Sequence, residues 1–231
     1  MNLYRVLVEY FGREFERRLR KRIGYLGKDD PFKVLIRTII SQMTNWKNTR
    51  IALKRLESKL ELTPLSIIKA PIEVIEDCLR PAGLYRVKAR KLKILAKRVL
   101  EDLGGDFSKL ENKTLEEIRS YLMTLPGVGF KTADILLLFH YKYPIMPVDT
   151  HISRITRRLG LVGRSAGYED IRRAVESTLE ERDSDKMGVL HLMLIEFGRN
   201  VCTARRPKCD ICPFKEVCEY YRIRSRSTRT L

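Results

Sequence analysis

Residues Leu125–Ala133 read LPGVGFKTA, and this stretch decides how the middle of the chain folds. Its proline ends the preceding helix, because proline has no amide hydrogen and fits poorly inside a helix. The glycines allow a tight backbone turn. A second helix, predicted over about 130–141, then begins with its free amides and positive dipole end at the turn. The amides of Gly127, Val128 and Gly129 are therefore candidates to hold a phosphate without reading a base.

Lys131 lies in the first turn of that second helix, where its charge opposes the helix dipole at a cost of about 0.3–1 kcal/mol. One interpretation is a solvated lysine that binds phosphate. The alternative is that the dipole and burial favour the neutral amine, which can then act as a nucleophile.

Asp149 lies in the segment Pro147–His151, which reads PVDTH, and it precedes a helical run with its apolar residues on one face. An aspartate at this position is a typical N-cap. It also follows Lys131 by one helix and one turn. Its carboxylate could therefore reach the glycine turn that joins the two helices around Leu125–Ala133. The two roles can coexist, because a carboxylate bonded to helix amides stays ionised and can face a developing cation.

Four cysteines near the carboxyl end follow the pattern Cys202-x6-Cys209-x2-Cys212-x5-Cys218. Nothing else in the chain suggests secretion, so disulfides are not expected. Zinc usually takes two separate Cys-x2-Cys pairs, whereas this loop has one close pair and two unevenly spaced flanking cysteines. The pattern favours a [4Fe–4S] cluster held by all four cysteines, with zinc as the alternative. Cys78, far upstream in an apolar helix, is expected to be a core residue.

The net charge indicates a polyanionic partner. The 231 residues contain 46 Lys and Arg against 29 Asp and Glu, a formal net charge of +17. Such an excess attracts nucleic acid first and anionic lipid second. The alternative is a generically basic protein with no specific role on DNA or RNA. Beside the cysteines, Arg205, Arg206 and Lys208 are candidate phosphate contacts.

The chain is expected to be cytoplasmic. No uncharged apolar run is long enough to span a membrane, and the amino-terminal residues mix charged and apolar side chains, unlike a secretory signal. Gln42 is the only glutamine, and that scarcity resembles a heat-adapted composition.

The apolar spacing predicts an all-α fold of roughly ten short helices. One helix is predicted over 85–103, ended by two glycines, and another over 115–124, opened by a Thr114–Glu117 capping box. Three prolines are expected at first helical positions. They are Pro31, Pro64 and Pro71. Residues 221–231 are expected to form a basic tail that is mobile or lies on an anionic partner.

Together these motifs resemble the endonuclease III family within the helix-hairpin-helix DNA glycosylase superfamily. The resemblance rests on Leu125–Ala133, Pro147–His151 and the cysteine spacing of 6, 2 and 5, with Ser41–Gln42 and Gly83–Tyr85 upstream. It implies two helical lobes with a central cleft. One would be a six-helix barrel over 24–143, and the other would join 1–23 to 144–231.

The resemblance also implies a chemistry. Lys131 would attack the sugar C1′ of a flipped-out damaged nucleotide, and Asp149 would help to activate the lysine and stabilise positive charge on the sugar. The resulting imine would permit β-elimination, which cuts the strand 3′ to the lesion. Gln42 and Leu84 match residues that fill the hole left by the flipped nucleotide. The expected partner is damaged or abasic duplex DNA, and the protein is expected to be a monomer.

Several departures from the family pattern concern the substrate. Phe130 stands where the motif usually has arginine, and Asn45 where an acid is expected. Other atypical positions are Met43, Trp46 and the segment 86–90. By the resemblance these residues lie near the lesion pocket or the orphan strand, so the preference for oxidised pyrimidines is what the family resemblance implies and is not shown by these residues. A thymine or uracil mismatch glycosylase is the nearest alternative. Lys131 argues against that alternative, because relatives without lyase activity generally lack the lysine. A different class of function is a non-enzymatic iron–sulfur DNA-binding regulator.

Overall fold

The computed structural model describes residues 1–227, and these residues form α-helices and short 3-10 turns without any β-strand. The predicted all-α fold class is confirmed. The helices are α1 Leu3–Phe11, α2 Arg13–Leu26, α3 Pro31–Ser41, α4 Trp46–Lys59, α5 Pro64–Lys69, α6 Ile72–Leu79, α7 Tyr85–Leu103, α8 Leu115–Thr124, α9 Phe130–Phe139, α10 Thr150–Leu159, α11 Tyr168–Glu176, α12 Ser184–Asn200 and α13 Glu219–Ser227. The 3-10 turns are Arg80–Ala82, Phe107–Leu110, Cys209–Ile211 and Lys215–Val217.

The best-predicted helices are those with strong local end signals. α7 spans 85–103 as predicted, and Gly104 ends it in the left-handed conformation with φ +63°, its amide bonded to the Leu100 carbonyl. α8 spans 115–124 as predicted. Its capping box is complete, because the Thr114 hydroxyl accepts from the Glu117 amide while the Glu117 carboxylate accepts from the Thr114 amide.

Three predictions about helix ends need correction. Pro31 and Pro64 occupy first helical positions as expected, but Pro71 is the N-cap of α6, because its ψ of 141° is extended and the helix begins at Ile72. The helix predicted over 130–141 ends at Phe139. The basic tail predicted from residue 221 is helical as far as Ser227, within α13, and its last four residues lie outside the described part of the chain.

The helix count is also higher than the roughly ten predicted, since the described residues form thirteen α-helices. Part of the difference arises at Gly12, whose φ of +86° separates α1 from α2. Only glycine adopts that conformation freely, so the chain from Leu3 to Leu26 forms two helices.

The described chain divides into two compact units. One contains Met1–Gly27 and the chain from Leu137 onward, and the other is Lys28–Leu136. The six-helix barrel inferred over 24–143 stays a prediction, since the compact unit begins at Lys28 and ends within α9.

Each unit has its own apolar core. In Lys28–Leu136, α7 packs against α3, α5 and α6, and the inward face of α3 is fully buried around Leu35 and Ile36. Cys78 is buried there, as predicted for a core residue. In the other unit, α12 packs against α1, α2 and α10, and the Phe197 ring meets Phe214 edge-on at 5.5 Å between centroids.

No helix of residues 1–227 is both long and apolar enough to cross a membrane.

Candidate functional site

The turn between α8 and α9 requires glycine at its centre. Gly127 has φ +80°, and a Cβ added there would lie 3.2 Å from Cγ1 of Ile39. The Val128 amide donates to the Leu125 carbonyl at 3.1 Å. Of the three amides predicted to hold phosphate, that of Val128 is therefore used inside the turn.

A partly buried ion pair joins the two helices of this hairpin. Arg119 of α8 donates from Nε and Nη2 to the two carboxylate oxygens of Asp134 in α9, at 2.7 and 3.0 Å, and Asp134 is fully buried. The Arg119 guanidinium also lies 5.0 Å from the centre of the Phe130 ring. Two parallel hydrogen bonds fix the relative orientation of α8 and α9. Sequence reasoning missed this pair, although a charged residue at an apolar position of each helix was a visible signal.

Lys131 lies in the first turn of α9, next to the half-exposed Phe130. Its side chain is exposed. The part of the nucleophile hypothesis that relied on burial is therefore wrong. What remains is an amine at the positive end of a helix, open to a ligand.

Gln42 and Leu84, both in the unit Lys28–Leu136, have contrasting environments. Gln42 follows α3, and its amide nitrogen donates to the Gly127 carbonyl at 2.8 Å, while its amide oxygen lies 3.4 Å from Nζ of Lys91. Leu84 precedes α7 in the left-handed conformation, with φ +47°, and 58% of its surface is exposed. Gln42 is therefore tied to the hairpin turn, whereas Leu84 is exposed on a strained backbone.

Lys88 of α7 is a functional candidate that the sequence did not reveal. It is 2% exposed, and its Nζ donates to the Ile40 carbonyl at 2.9 Å and the Ala82 carbonyl at 2.8 Å. Burial, with a smaller effect from the charge of Lys91, lowers the pKa of Lys88. The ammonium group ties the end of α3 to the turn before α7.

Asp149 caps α10 in the other unit, as predicted. Its Oδ1 accepts the amide hydrogen of Ile152 at 2.8 Å. The segment before it is fixed by long-range bonds, since the Val148 amide donates to the Tyr168 hydroxyl at 3.0 Å and Nδ1 of His191 lies 3.1 Å from the Pro147 carbonyl oxygen. These bonds place the carboxylate at a defined position at the start of α10.

The cysteine loop is anchored to α10. Nη1 of Arg158 lies 3.4 Å from Sγ of Cys202, and the Cys218 thiol donates to the Arg158 carbonyl at 3.2 Å. Burial raises the pKa of Cys212 to about 11, and the neighbouring thiols of Cys202, Cys218 and Cys209 add to this rise. The Cys212 thiol therefore lies within electrostatic range of the other three.

This loop fits an iron–sulfur cluster. Four thiols on one loop can supply the four thiolates of a cubane cluster, and the Arg158 guanidinium can offset part of its negative charge. In the described part of the chain, no three His, Cys, Asp or Glu side chains are arranged to hold a single metal ion. Binding iron would favour the thiolate forms that burial disfavours.

The three basic residues predicted beside the cysteines are exposed. They are Arg205, Arg206 and Lys208. The backbone just before Arg205 and Arg206 is fixed by Arg158, which donates to the carbonyls of Thr203 and Ala204 at 2.7 and 2.8 Å. The guanidinium groups thus project from a fixed backbone.

Comparison with known proteins establishes the family. The model of the HhH-GPD superfamily base excision DNA repair proteins matches residues 36–181, and that of the iron–sulfur binding domain of endonuclease III matches 202–218. Endonuclease III of Thermotoga maritima is 37% identical over 92% of this chain and 94% of its own. The chain belongs to the endonuclease III family. Endonuclease III of Sulfolobus acidocaldarius is 36% identical over 82% of each chain.

Solved structures of endonuclease III agree with this family membership. A trapped covalent intermediate of endonuclease III with DNA and a non-covalent complex with DNA each give a TM-score of 0.72 at 27% identity, over 91% of this chain and 98% of theirs. A thermostable thymine-DNA glycosylase, at 23% identity and a TM-score of 0.70, shares the fold. This endonuclease III family member is accordingly a DNA-binding glycosylase of base excision repair with a [4Fe–4S] cluster, as the sequence predicted.

Proposed function

We propose that this family member is a monomeric bifunctional DNA glycosylase and abasic-site lyase that removes oxidised pyrimidines from duplex DNA. The observation that carries the proposal is Lys131, an exposed amine in the first turn of the second hairpin helix. The ion pair between Arg119 and the fully buried Asp134 supports it, because that pair fixes the helix from which the lysine projects.

In the proposed reaction, neutral Nζ of Lys131 donates its electron pair to C1′ of the extruded nucleotide. The bond between C1′ and the base breaks, and the base leaves with the electron pair and takes up a proton. The C1′–O4′ bond then breaks as Nζ loses its two protons, one of which O4′ takes up to become a hydroxyl, and this opening of the sugar ring leaves an imine between Nζ and C1′. Removal of a proton from C2′ then expels the 3′ phosphate, which cuts the strand on the 3′ side of the lesion.

Asp149 is proposed to assist this attack. Its carboxylate is held at the start of α10 by the Ile152 amide, so it needs no reorganisation during the reaction. A fixed negative charge can accept a proton from the lysine ammonium and stabilise positive charge that develops on the sugar.

The remaining proposed contacts bind and open the duplex. Gly127 and Gly129 lie in the turn proposed to hold a phosphate, and Arg205, Arg206 and Lys208 would bind further phosphates. Leu84 would wedge into the base stack, and Gln42 would lie beside the orphaned base. The cluster, when bound, supplies a covalent cross-link of loop 202–218 that holds the basic residues in place. With DNA as its partner, the protein is proposed to work at the nucleoid in a prokaryotic cytoplasm.

Borohydride trapping tests the lyase proposal. Purified protein would be incubated with duplexes carrying thymine glycol, dihydrouracil, uracil, a G·T mismatch or an abasic site, and borohydride would reduce any imine to a stable amine. The wild type should form a covalent adduct with oxidised-pyrimidine and abasic duplexes, and Lys131→Gln should form none. Lys97→Gln, which removes an exposed lysine of α7, is the matched control and should trap normally.

The other functions considered give different results. Excision at uracil or G·T without any adduct would favour a mismatch glycosylase that does not use Lys131. Selective binding of intact DNA, equal for wild type and Lys131→Gln and without excision, would favour a regulator. The absence of an adduct with every duplex would overturn the lyase proposal.

A further inference from the structure

Two exposed apolar residues in the unit Lys28–Leu136 have strained backbones. Met43, in the turn between α3 and α4, has φ +54° and is 89% exposed, and Leu84 before α7 has φ +47° and is 58% exposed. A non-glycine residue in the left-handed region is sterically unfavourable, and exposing a large apolar side chain gains nothing in water. The same two unfavourable features coincide at both positions, which favours a shared function over chance.

Lys88 links the two turns that carry these residues. One of the carbonyls that accept from its Nζ belongs to Ile40, three residues before Met43, and the other belongs to Ala82, two residues before Leu84. Hydrogen bonds from a buried ammonium group are strong and leave little freedom. A single cation therefore holds both turns at a fixed separation within this unit.

Gln42 is already engaged in the same turn. Its amide nitrogen donates to the Gly127 carbonyl, and its amide oxygen lies within reach of Lys91. Its neighbour Met43 is the residue of this turn that extends furthest into solvent, at 89% exposure. A group that enters a duplex must protrude, be apolar and be rigidly held, and Met43 meets all three requirements.

We propose that Met43 is a second wedge beside Leu84, and that it enters the duplex on the strand opposite the damaged nucleotide. The inference rests on the base-flipping function proposed above. Methionine suits this role because its long, polarizable side chain packs against bases without reading their hydrogen-bonding edges. Met43 would therefore displace the opposite base from its stack whatever its identity.

Fluorescence of 2-aminopurine tests this proposal. The fluorescent base would be placed opposite a tetrahydrofuran abasic analogue in a duplex, where unstacking increases its emission. The wild type should raise the emission on binding, and Met43→Ala should give less than half of that rise at saturating protein. Ile94→Ala is the matched control, because Ile94 is 53% exposed within helix α7, and it should match the wild type.

A second variant and a parallel assay make each outcome decisive. Met43→Gly removes the side chain while relieving the strained φ, so a loss of signal shared with Met43→Ala shows that the side chain itself acts. An emission rise equal to the wild type in both variants would overturn the wedge. Borohydride trapping by the wild type on an abasic duplex is run alongside. If the wild type forms no borohydride adduct but raises the 2-aminopurine emission, and the Met43 variants do not, only the lyase proposal is rejected. If the wild type forms the adduct and the Met43 variants raise the emission as much as the wild type, only the wedge proposal is rejected.

Discussion

At the scale of single residues, Asp149 combines a structural role with a proposed chemical one. Its Oδ1 caps α10 through the Ile152 amide, and this bond needs only an oxygen acceptor. Activation of the lysine needs, in addition, a negative charge. Asparagine keeps the acceptor and removes the charge, so it separates the two roles.

We therefore expect Asp149→Asn to keep the free energy of unfolding within about 0.5 kcal/mol of the wild type. Single-turnover base excision should fall by about 10²-fold or more, because the general base is lost. The matched control is Asp30→Asn, since Asp30 caps α3 by accepting from the Lys33 amide at 3.0 Å. Both variants should unfold like the wild type, and only Asp149→Asn should lose excision. Normal excision by Asp149→Asn would show that this residue is only a cap.

The contrast between Asp149 and Lys88 shows what a sequence can predict at this scale. A helix cap depends on an amide three residues away, so the role of Asp149 in the fold was predictable. The burial of Lys88 depends on the carbonyls of Ile40 and Ala82, the first of them 48 residues earlier. No local pattern encodes such a contact, and a lysine is ordinarily expected at the surface. The exposure of Lys131, by contrast, follows that ordinary expectation.

At the scale of elements, the predicted ends are accurate where local chemistry fixes them. The Gly104 amide that ends α7 bonds to the carbonyl of Leu100, four residues earlier, and the capping box of α8 joins Thr114 to Glu117, three residues later. Residues 221–227 looked unable to form an element, because they have few apolar side chains. They are nevertheless helical in α13, where the Arg158 guanidinium stacks on the Tyr220 ring at 4.6 Å. That contact is tertiary, so composition alone could not predict it.

The crossing of α10 and α12 gives a prediction for packing. A Cβ added at Gly198 would lie 2.7 Å from both Cβ and Nδ1 of His151, which is too close for either atom. Arg154 also donates from Nη2 to the Gly198 carbonyl at 2.8 Å. Gly198→Ala should therefore push the helices apart and lower the free energy of unfolding by about 1–3 kcal/mol. Urea denaturation measures the change.

Gly24→Ala is the matched control for this substitution. Gly24 lies in helix α2, and a Cβ there would meet nothing within 4 Å. Alanine should raise the free energy of unfolding by about 0.5–1 kcal/mol, because it reduces the entropy of the unfolded chain and favours the helix. If both variants shifted stability in the same direction, the close contact between α10 and α12 would be contradicted.

At the scale of the whole molecule, the net charge of +17 creates a general attraction for DNA. That attraction falls with salt in proportion to the number of phosphates bound. Net charge alone does not say where those phosphates lie. Arg205 and Arg206 are exposed on a backbone that Arg158 fixes through the Thr203 and Ala204 carbonyls, so they are well placed to make defined contacts.

Removing both of these arginines should therefore change the salt dependence as well as the affinity. We expect Arg205→Ala/Arg206→Ala to bind duplex DNA more weakly and to flatten the plot of log affinity against log salt by about one to two units. The matched control is Arg17→Ala/Arg22→Ala, which removes the same charge from exposed positions of α2. That control should weaken binding slightly, because it lowers the overall positive potential. It should keep the wild-type slope, because the slope counts counterions released at contacted phosphates, whereas distant charges act only through a screened long-range attraction. Equal slopes for the wild type and Arg205→Ala/Arg206→Ala would place the cysteine loop away from the DNA.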